Sequence, residues 1–417
     1  MAQQPGDKMS DPVDDPAERY LAAFAEIAVV VGMNVQPGQV VGITTEPGME
    51  AVMRAIADRA YAAGALYVDP WTFDVYVKRS RLLHADAATL DWVPPWIGDR
   101  HRAIAALHGA ALTLRGPVAP HLMDDIDPVR AGRDRLPRVP DTLPLVNARA
   151  YNWSILPAPT PGWAAALFPD LTEQAAYARL WDEIAHILRL DEDDPAAAWD
   201  TRLTELESRA RRLDALALDA LRFSGPGTDL TVGLLPGSVW AGGRKATSFG
   251  VVHTSNLPTE EVFTAPDPER VDGVVTATKP LFASGSRVEG LRVRFAGGRA
   301  VDVHADHGGG IVEGLIAHDD GAARLGEVAL VDRSSRVGRS GTVYYETLLD
   351  ENAASHIALG NAYEVNAATP DDVARLNRSA IHTDFMIGSD EVDVTGVLRD
   401  GSEVPLLRGG RWQLPSA

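Results

Sequence analysis

The first part of the chain alternates between helically spaced apolar positions and short buried runs. Residues 20–31 are apolar at helical spacing, and Pro37-Gly38 predicts a turn before a buried strand over residues 39–45. An alanine-rich pattern predicts a helix over residues 50–63, and a further strand is predicted over residues 65–70. This strand–helix–strand order is typical of a parallel α/β domain.

The pattern changes in the middle of the chain. Two amphipathic stretches predict long helices over residues 171–190 and 196–221, the second opened by Pro195. Downstream, short alternating runs separated by glycine turns predict strands with few helices. We therefore expect an α/β N-terminal domain with connector helices over residues 16–221. An α+β, mainly β C-terminal domain should follow over residues 222–417 and carry the chemistry.

Composition narrows the classes of partner and site. A length of 417 residues favours two domains over one. The net charge of −19, from 39 basic and 58 acidic residues, argues against nucleic acid or an anionic membrane as a partner. The chain has no cysteine, which excludes disulfides and cysteine-bound zinc. Any metal ion must therefore be held by oxygen and nitrogen donors.

The N-terminus predicts a location. Residues 1–15 are polar and acidic, so we expect a disordered leader rather than a signal peptide, which would need an apolar stretch. No segment approaches 18 uninterrupted apolar residues. These features predict a soluble cytoplasmic protein.

Candidate chemistry is concentrated in the last part of the chain. Three or four carboxylates and two imidazoles are too many ligands for one metal ion, but they suit a pair of divalent cations. Such pairs generate hydroxide at neutral pH in many hydrolases. The candidate residues are Glu260, Glu261, Glu327, Glu351, His356, His382 and Asp384.

Local spacing predicts how some of these side chains point. His382 and Asp384 lie two residues apart in a strand-like segment, so they should project to the same side. Glu260 and Glu261 are adjacent and, in an extended segment, would face opposite sides, so only one of them can be a ligand. Glu327 leads into an apolar run, where a carboxylate is costly unless it is paired or binds an ion.

The segment after Asp350-Glu351 predicts a helix. His356 and Tyr363 are seven residues apart and share a helix face if that helix continues through Gly360. Glu351 should then lie at the N-terminal end of the helix or just before it, where the structural alternative is an N-cap.

Other patterns predict no chemistry. His304 and His307 have metal-like spacing, but they lie beside a glycine-rich turn and are predicted to be surface residues. Dinucleotide fingerprints, nucleophile elbows and phosphate-binding loops are absent from the sequence.

Eight segments taken together resemble the family of dinuclear metal aminopeptidases typified by thermophilic aminopeptidase T and staphylococcal aminopeptidase S. The resemblance covers most of the chain, and the last four segments are long, specific and in the family's order. The segments are NVQPGQVV, WSILPAPTPGWAAALFPDL, DPAAAWDTRLTELESRARRLDAL, SGPGTDLTVGLL, NLPTEEVFTAP, LGEVALVD, LLDENAASHIALGNAY and IHTDFMIGS.

The resemblance implies a metal-dependent aminopeptidase that releases N-terminal amino acids from short peptides with a free N-terminus. It implies two divalent ions per chain, zinc, cobalt or manganese, and a water activated between them. Glu261 is preferred to Glu260 because the family's spacing to Glu327 is 66 residues, as it is here. The implied metal ligands are Glu261, Glu327, Glu351, His356, His382 and Asp384.

The resemblance also implies catalytic roles. Tyr363 matches a tyrosine that assists catalysis, and as a hydrogen-bond donor it would stabilise the developing oxyanion. Glu327, or else Glu260, would carry the proton to the leaving amine, with Glu327 favoured. The N-terminal domain would wall the active site, restrict it to short peptides and help form a homodimer.

Two alternatives remain open from the residues. A mononuclear non-heme iron dioxygenase would need only His356, His382 and Asp384, but the additional acids are then unexplained. A non-enzymatic scaffold or binding protein would not need the complete ligand set.

Overall fold

A computed structural model describes residues 16–134, 136–137, 141–283 and 286–414. The predicted leader over residues 1–15 lies outside the described residues. The first half alternates strands and helices, with a π-helical continuation of the first helix at Ile27–Gly32 and a 3₁₀ turn at Ala87–Thr89. Its helices are α1 Glu18–Glu26, α2 Glu50–Ala62, α3 Val75–His84, α4 Pro95–Ala106, α5 Pro128–Arg133, α6 Thr142–Asn147, α7 Pro161–Leu167, α8 Glu173–Ile187 and α9 Pro195–Leu216. Its strands are β1 Val40–Thr45, β2 Tyr67–Thr72, β3 Ala110–Arg115 and β4 Asn152–Pro157.

The four N-terminal strands form one parallel sheet in the order β2-β1-β3-β4. The central strand β1 is largely buried, as expected for a parallel sheet covered by helices. The predicted strands and helices of this half are therefore confirmed, with ends that differ by a few residues.

Helices α8 and α9 form the predicted pair, but the predicted end of the second helix is wrong. Ala217 adopts a left-handed conformation (φ 48°) and ends α9, and Leu221 belongs to the strand that follows. The apolar positions of this stretch fit both the helical and the strand period, so local spacing does not locate the switch. Trp199 and Leu203 of α9 pack in the first core, whereas Leu206 packs in the second. The helix thus connects the two halves physically.

The second half is built mainly from antiparallel strands. Its strands are β5 Leu218–Gly225, β6 Thr228–Leu234, β7 Lys245–Ala246, β8 Val252–His253, β9 Glu261–Thr264, β10 Pro266–Thr276, β11 Leu281–Ala283, β12 Ser286–Val288, β13 Arg292–Ala296, β14 Arg299–His304, β15 Leu325–Val331, β16 His356–Gly360, β17 His382–Met386, β18 Asp393–Leu398, β19 Glu403–Arg408 and β20 Arg411–Trp412. Its helices are α10 Gly309–Ile316, α11 Arg336–Ser340, α12 Thr347–Glu351 and α13 Pro370–Arg375, with a 3₁₀ turn at Glu364–Asn366.

Two antiparallel sheets organise this half. The larger has eight strands in the order β14-β13-β10-β6-β5-β18-β19-β20, and the smaller has four in the order β17-β16-β15-β9. Val328, Ile357 and Phe385 of the smaller sheet pack in one core with Phe223 and Val232 of the larger sheet. The smaller sheet therefore has an apolar face against its neighbour and a second face open to polar groups. None of the described helices combines the length and hydropathy needed to cross a bilayer.

The helix predicted after Asp350 is wrong. Helix α12 ends at Glu351, and His356 begins strand β16, so His356 and Tyr363 share no helix face. Glu351 is also not an N-cap, because Glu346 caps α12 by accepting a hydrogen bond from the Leu349 amide at 3.3 Å. The run from His356 to Gly360 is fully buried, and such a short apolar run does not distinguish strand from helix by periodicity.

Candidate metal centre

Strand register brings five of the six predicted ligands to one face of the smaller sheet. In antiparallel sheets, directly opposite residues point to the same side, and so does every second residue along a strand. The Val331–Glu261, Ala329–His356 and Ala358–Asp384 pairings extend this face across all four strands. The side chains that share it are Glu261, Glu327, His356, His382 and Asp384.

Small residues separate these side chains. Ala329, Ala358 and Gly360 lie on the same face, opposite His356, Asp384 and His382 respectively. Because none of the three projects more than a methyl group, the polar side chains have space between them that a metal ion can fill. The other face carries the apolar residues of the core.

Glu327 lies between the two imidazoles. Its Oε1 is 3.6 Å from Nε2 of His356, and its Oε2 is 3.8 Å from Nε2 of His382. Glu261 approaches His356 from the other side, with Oε2 3.0 Å from Nε2, and Asp384 Oδ1 is 3.4 Å from Nε2 of His382. Ligand atoms of Glu261, Glu327 and His356 all lie within 4.8 Å of one another. Because the Glu327 carboxylate faces both imidazoles, it could be a ligand shared by two metal ions.

Backbone carbonyls orient both imidazoles. Nδ1 of His356 donates to the Ala354 carbonyl at 3.1 Å, and Nδ1 of His382 donates to the Asn361 carbonyl at 2.8 Å. Since a carbonyl only accepts, each Nδ1 carries a proton, and in the neutral ring Nε2 presents its lone pair to the carboxylates. This arrangement is typical of metal-binding histidines.

The donor set fits a divalent cation. Oε2 of Glu261 is buried and has no hydrogen-bond partner among the described residues, although it lies 3.0 Å from Nε2 of His356. A buried carboxylate oxygen without a partner is costly. A cation placed among this oxygen and the imidazole lone pairs would satisfy them together, and zinc, cobalt and manganese all accept oxygen and imidazole ligands.

Burial perturbs the acids of the cluster. It raises the pKa of Glu351 well above its usual range, and the charges of Asp384 and Glu261 raise it further. Burial also raises the pKa of Glu327, despite the opposing effect of the adjacent His356 imidazole. These shifts show that the site concentrates negative charge away from water, where a bound cation would neutralise it.

The pKa values of the two imidazoles are also raised, but against the effect of burial. Burial alone would lower the pKa of His382, but the charge and hydrogen bond of Asp384 outweigh burial and raise the pKa to about 9. For His356, burial is likewise outweighed by the adjacent carboxylates of Glu261 and Glu327, so its pKa is raised well above its usual range. The neighbouring carboxylates raise the pKa values of the acids by like charge and those of the imidazoles by opposite charge.

Glu351 approaches the same face from the end of α12, and its pKa responds to Asp384, Glu261, His356 and Glu327. It is not part of the tight group formed by Glu261, Glu327 and His356. Helix α12 is held by neighbouring hydrogen bonds, including one from the Glu260 amide to Oδ1 of Asn352 at 2.6 Å. The structure therefore links the Glu351 and Glu261 segments directly.

Glu260 points away from the cluster. Its Oε1 accepts from Arg189 at 2.9 Å, and its Oε2 lies 2.7 Å from Nη2 of Arg202, with the carboxylate 2% exposed. Both arginines come from the connector region, and sequence reasoning missed them. With both oxygens engaged, Glu260 is poorly placed to carry a proton in the site.

The remaining predicted residues lie as follows. Tyr363 follows β16 in a loop, and its ring centroid is 5.1 Å from that of His382. His304 is exposed, as predicted for a surface residue. Sequence reasoning missed Phe263 and Lys245 beside the site. The i, i+2 spacing from Glu261 could have indicated Phe263, but no spacing signal indicated Lys245.

Comparisons with known proteins agree with this arrangement. The family model described as thermophilic metalloprotease (M29) matches residues 17–412. Aminopeptidase T of Thermus aquaticus is 44% identical over 408 residues, which covers 95% of this chain and 99% of that protein. Aminopeptidase 2 of Geobacillus stearothermophilus is 36% identical over 405 residues, with 95% and 98% covered. The solved structure of wild-type AmpT from Thermus thermophilus superposes with a TM-score of 0.89 at 40% identity, covering 95% of this chain and 100% of that one.

Proposed function

Because the chain belongs to the thermophilic metalloprotease family M29 and is a metal-dependent aminopeptidase, we propose that it uses two divalent cations to remove N-terminal residues from short peptides. Zinc, cobalt and manganese suit the donor set. The proposed ligands are Glu261, Glu327, Glu351, His356, His382 and Asp384.

One observation carries this proposal. Strand register turns the Nε2 atoms of two imidazoles toward buried carboxylates, one of which has an oxygen without a hydrogen bond. A purely structural polar cluster would instead pair its donors with its acceptors. Glu327, which faces both imidazoles, is the proposed shared ligand.

The cations would lower the pKa of a bound water and polarise the scissile carbonyl. Glu327 would take the proton released by the attacking water and deliver it to the leaving amine. Tyr363, beside His382, would donate a hydrogen bond to the carbonyl oxygen as that oxygen becomes negative. The excess of carboxylates in the site favours binding of the positively charged α-ammonium group of a peptide. This would place the first peptide bond, and so the first residue, at the reacting centre.

We propose that the N-terminal half limits the site to short peptides, because part of it lies near the loop that carries the proposed catalytic tyrosine. Leu143 and Asn147 of α6 line a shallow, open depression together with Glu364, the residue after Tyr363. The division into domains near residue 221, a homodimer and a cytoplasmic location also remain proposals.

The dioxygenase alternative is not supported. The relatives described above are aminopeptidases, and an iron triad of His356, His382 and Asp384 would not explain why Glu327 faces both imidazoles. A scaffold without activity is excluded by the family assignment.

The test measures metal content and hydrolysis together. Protein purified without chelator should contain about two divalent ions per chain and release N-terminal residues from aminoacyl-amides in an EDTA-sensitive way. His356→Ala should reduce the metal content and lower activity by at least about 10²-fold, because it removes a proposed ligand itself and not only a partner of a ligand. His304→Ala, at an exposed site, is the matched control and should change neither.

Full activity in His356→Ala would refute the assigned site. One iron per chain without hydrolysis would instead contradict the two-cation proposal.

A further inference from the structure

Lys245 lies on the rim of the candidate metal centre. It begins the short strand β7, which pairs with β8 at His253. Its Nζ is 5.3 Å from the ring centroid of Phe263 and 5.9 Å from that of Tyr363. Phe263 shares the ligand-bearing face with Glu261, two residues before it. The ammonium therefore lies over the aromatic side of the site, next to the proposed catalytic tyrosine.

The Lys245 ammonium has no direct polar partner among the residues that the structure describes. Its neighbour Arg244 differs, because that guanidinium pairs with Asp200 and lies 3.0 Å from Oε1 of Glu207. A cation that is partly removed from water and has no hydrogen bond is costly, and this desolvation lowers the pKa of Lys245 even though the charges of Glu327 and Glu261 act to raise it. Such a cost is typical of functional sites, where a group is held for a ligand.

We propose that the Lys245 ammonium binds the carbonyl oxygen of the scissile peptide bond and stabilises the negative charge that this oxygen gains. When the water oxygen bonds to the carbonyl carbon, the π electrons of the carbonyl move to its oxygen, which the ammonium faces. The electron pair on this oxygen re-forms the carbonyl bond when the carbon–nitrogen bond breaks and the amine leaves with a proton. No proton transfer from Lys245 is required. This assignment rests on the proposed function.

The location favours this role over recognition of a distant part of the peptide. The acids that act on the Lys245 charge are Glu327 and Glu261, which are both proposed ligands at the reacting centre. Lys245 and Tyr363 occupy the same aromatic rim, so both can donate to one oxygen. A cation that is already fixed in a water-poor site stabilises developing charge without reorganisation.

Lys245→Met tests the proposal, with Arg244→Gln as the matched control. The control removes a positive charge one residue away without touching the site. We expect Lys245→Met to lower kcat by about 10²–10³-fold with KM within about threefold of wild type, because the interaction forms only as the oxyanion develops. Arg244→Gln should retain wild-type kcat.

Ligand binding provides a readout that is independent of turnover. Calorimetry with metal-loaded protein would compare the phosphonic acid analogue of leucine, which mimics the tetrahedral oxygens, with 3-methylbutylamine, which lacks them. Lys245→Met should weaken binding of the phosphonate by at least about tenfold and leave binding of the amine unchanged. Metal content and the thermal unfolding midpoint should match wild type.

Three results would overturn the inference. A kcat within about threefold of wild type would show that Lys245 has no catalytic role. A raised KM with unchanged kcat would indicate a contact to another part of the substrate. Loss of metal in Lys245→Met would indicate that the ammonium only balances the carboxylates. An inactive or metal-free wild-type protein would instead contradict the proposed function itself.

Discussion

At the scale of single residues, two adjacent glutamates occupy different environments. Glu260 and Glu261 alternate across strand β9 and its approach, so one carboxylate meets two arginines and the other meets the imidazole of His356. Glu260 therefore stabilises the fold. Glu261 concentrates charge that a metal ion would have to neutralise.

This difference predicts opposite effects on the stability of the metal-free protein. Glu260→Ala should lower the free energy of unfolding by about 3–5 kcal/mol, because it leaves Arg189 and Arg202 buried without their carboxylate. Glu261→Gln should leave that free energy unchanged or raise it, because it removes a charge that acts on Glu327 and Glu351. Denaturant unfolding in EDTA measures both. A larger loss in Glu261→Gln than in Glu260→Ala would contradict this division of roles.

At the scale of elements, a bulge in β15 decides where Glu327 points. Leu325 is opposite Leu359 and both lie in the core, so regular pairing would place Glu327 opposite Ile357 on the apolar face. The extra residue, Gly326, shifts the register by one position and places Glu327 opposite Ala358 instead. One inserted residue thus moves a carboxylate from the core side to the ligand side.

Gly326→Ala should disturb this bulge. An added Cβ would overlap the carbonyl oxygens of Gly360 and Asn361, so we expect the free energy of unfolding to fall by about 1–3 kcal/mol or more. Metal affinity should fall as well, because Glu327 would be displaced. Chemical denaturation and metal titration measure the two effects.

Gly310→Ala provides the control for that substitution. Gly310 lies in α10, where nothing is within 4 Å of the added Cβ. Alanine there should be neutral or stabilising by up to about 1 kcal/mol. Equal stability of the Gly326→Ala and Gly310→Ala proteins would show that the bulge tolerates a side chain.

At the scale of the whole molecule, the N-terminal half supports the site without supplying a proposed ligand. Tyr344 and Leu349 of the second half are buried in the first core, and Trp163 Nε1 donates to the Tyr344 carbonyl at 2.7 Å. These contacts position α12, which ends at Glu351. The two halves therefore depend on each other more closely than a simple two-domain division suggests.

A charge near this junction predicts a pH dependence of stability. Burial raises the pKa of Glu46 to about 7, with an opposing effect of Arg115 and a further increase from Glu346, the cap of α12. Between pH 4.5 and 7 the folded state holds this proton and the unfolded chain releases it. The contribution of Glu46 to stability is therefore present at low pH and is lost as pH rises through this window.

Glu46→Gln should remove that contribution to the pH dependence. The difference in unfolding free energy between variant and wild type should shift in favour of the variant by about 3 kcal/mol from pH 4.5 to pH 7.5, since each pKa unit corresponds to about 1.4 kcal/mol. Denaturant unfolding of the two metal-free proteins between pH 4.5 and pH 7.5 measures this difference. A flat difference for Glu46→Gln would contradict the effect.

Sequence alone was sufficient for features that depend on local spacing and on long motifs. It identified the parallel α/β half, the strand from His382 to Asp384, the order of the acids and imidazoles and, through the resemblance, the enzyme class. The strands and helices follow from the period of apolar residues, and the enzyme class follows from the motifs, and each segment carries both kinds of signal by itself.

Only the tertiary structure decided features that depend on contacts between distant segments. It made the His356 segment a strand, placed the bulge at Gly326, assigned Glu260 to Arg189 and Arg202, and brought Lys245 to the rim of the site. Register, burial and charge pairing arise between residues tens to hundreds of positions apart. Local periodicity holds no information about them, because a short buried run can satisfy either a helix or a strand until its neighbours are in place.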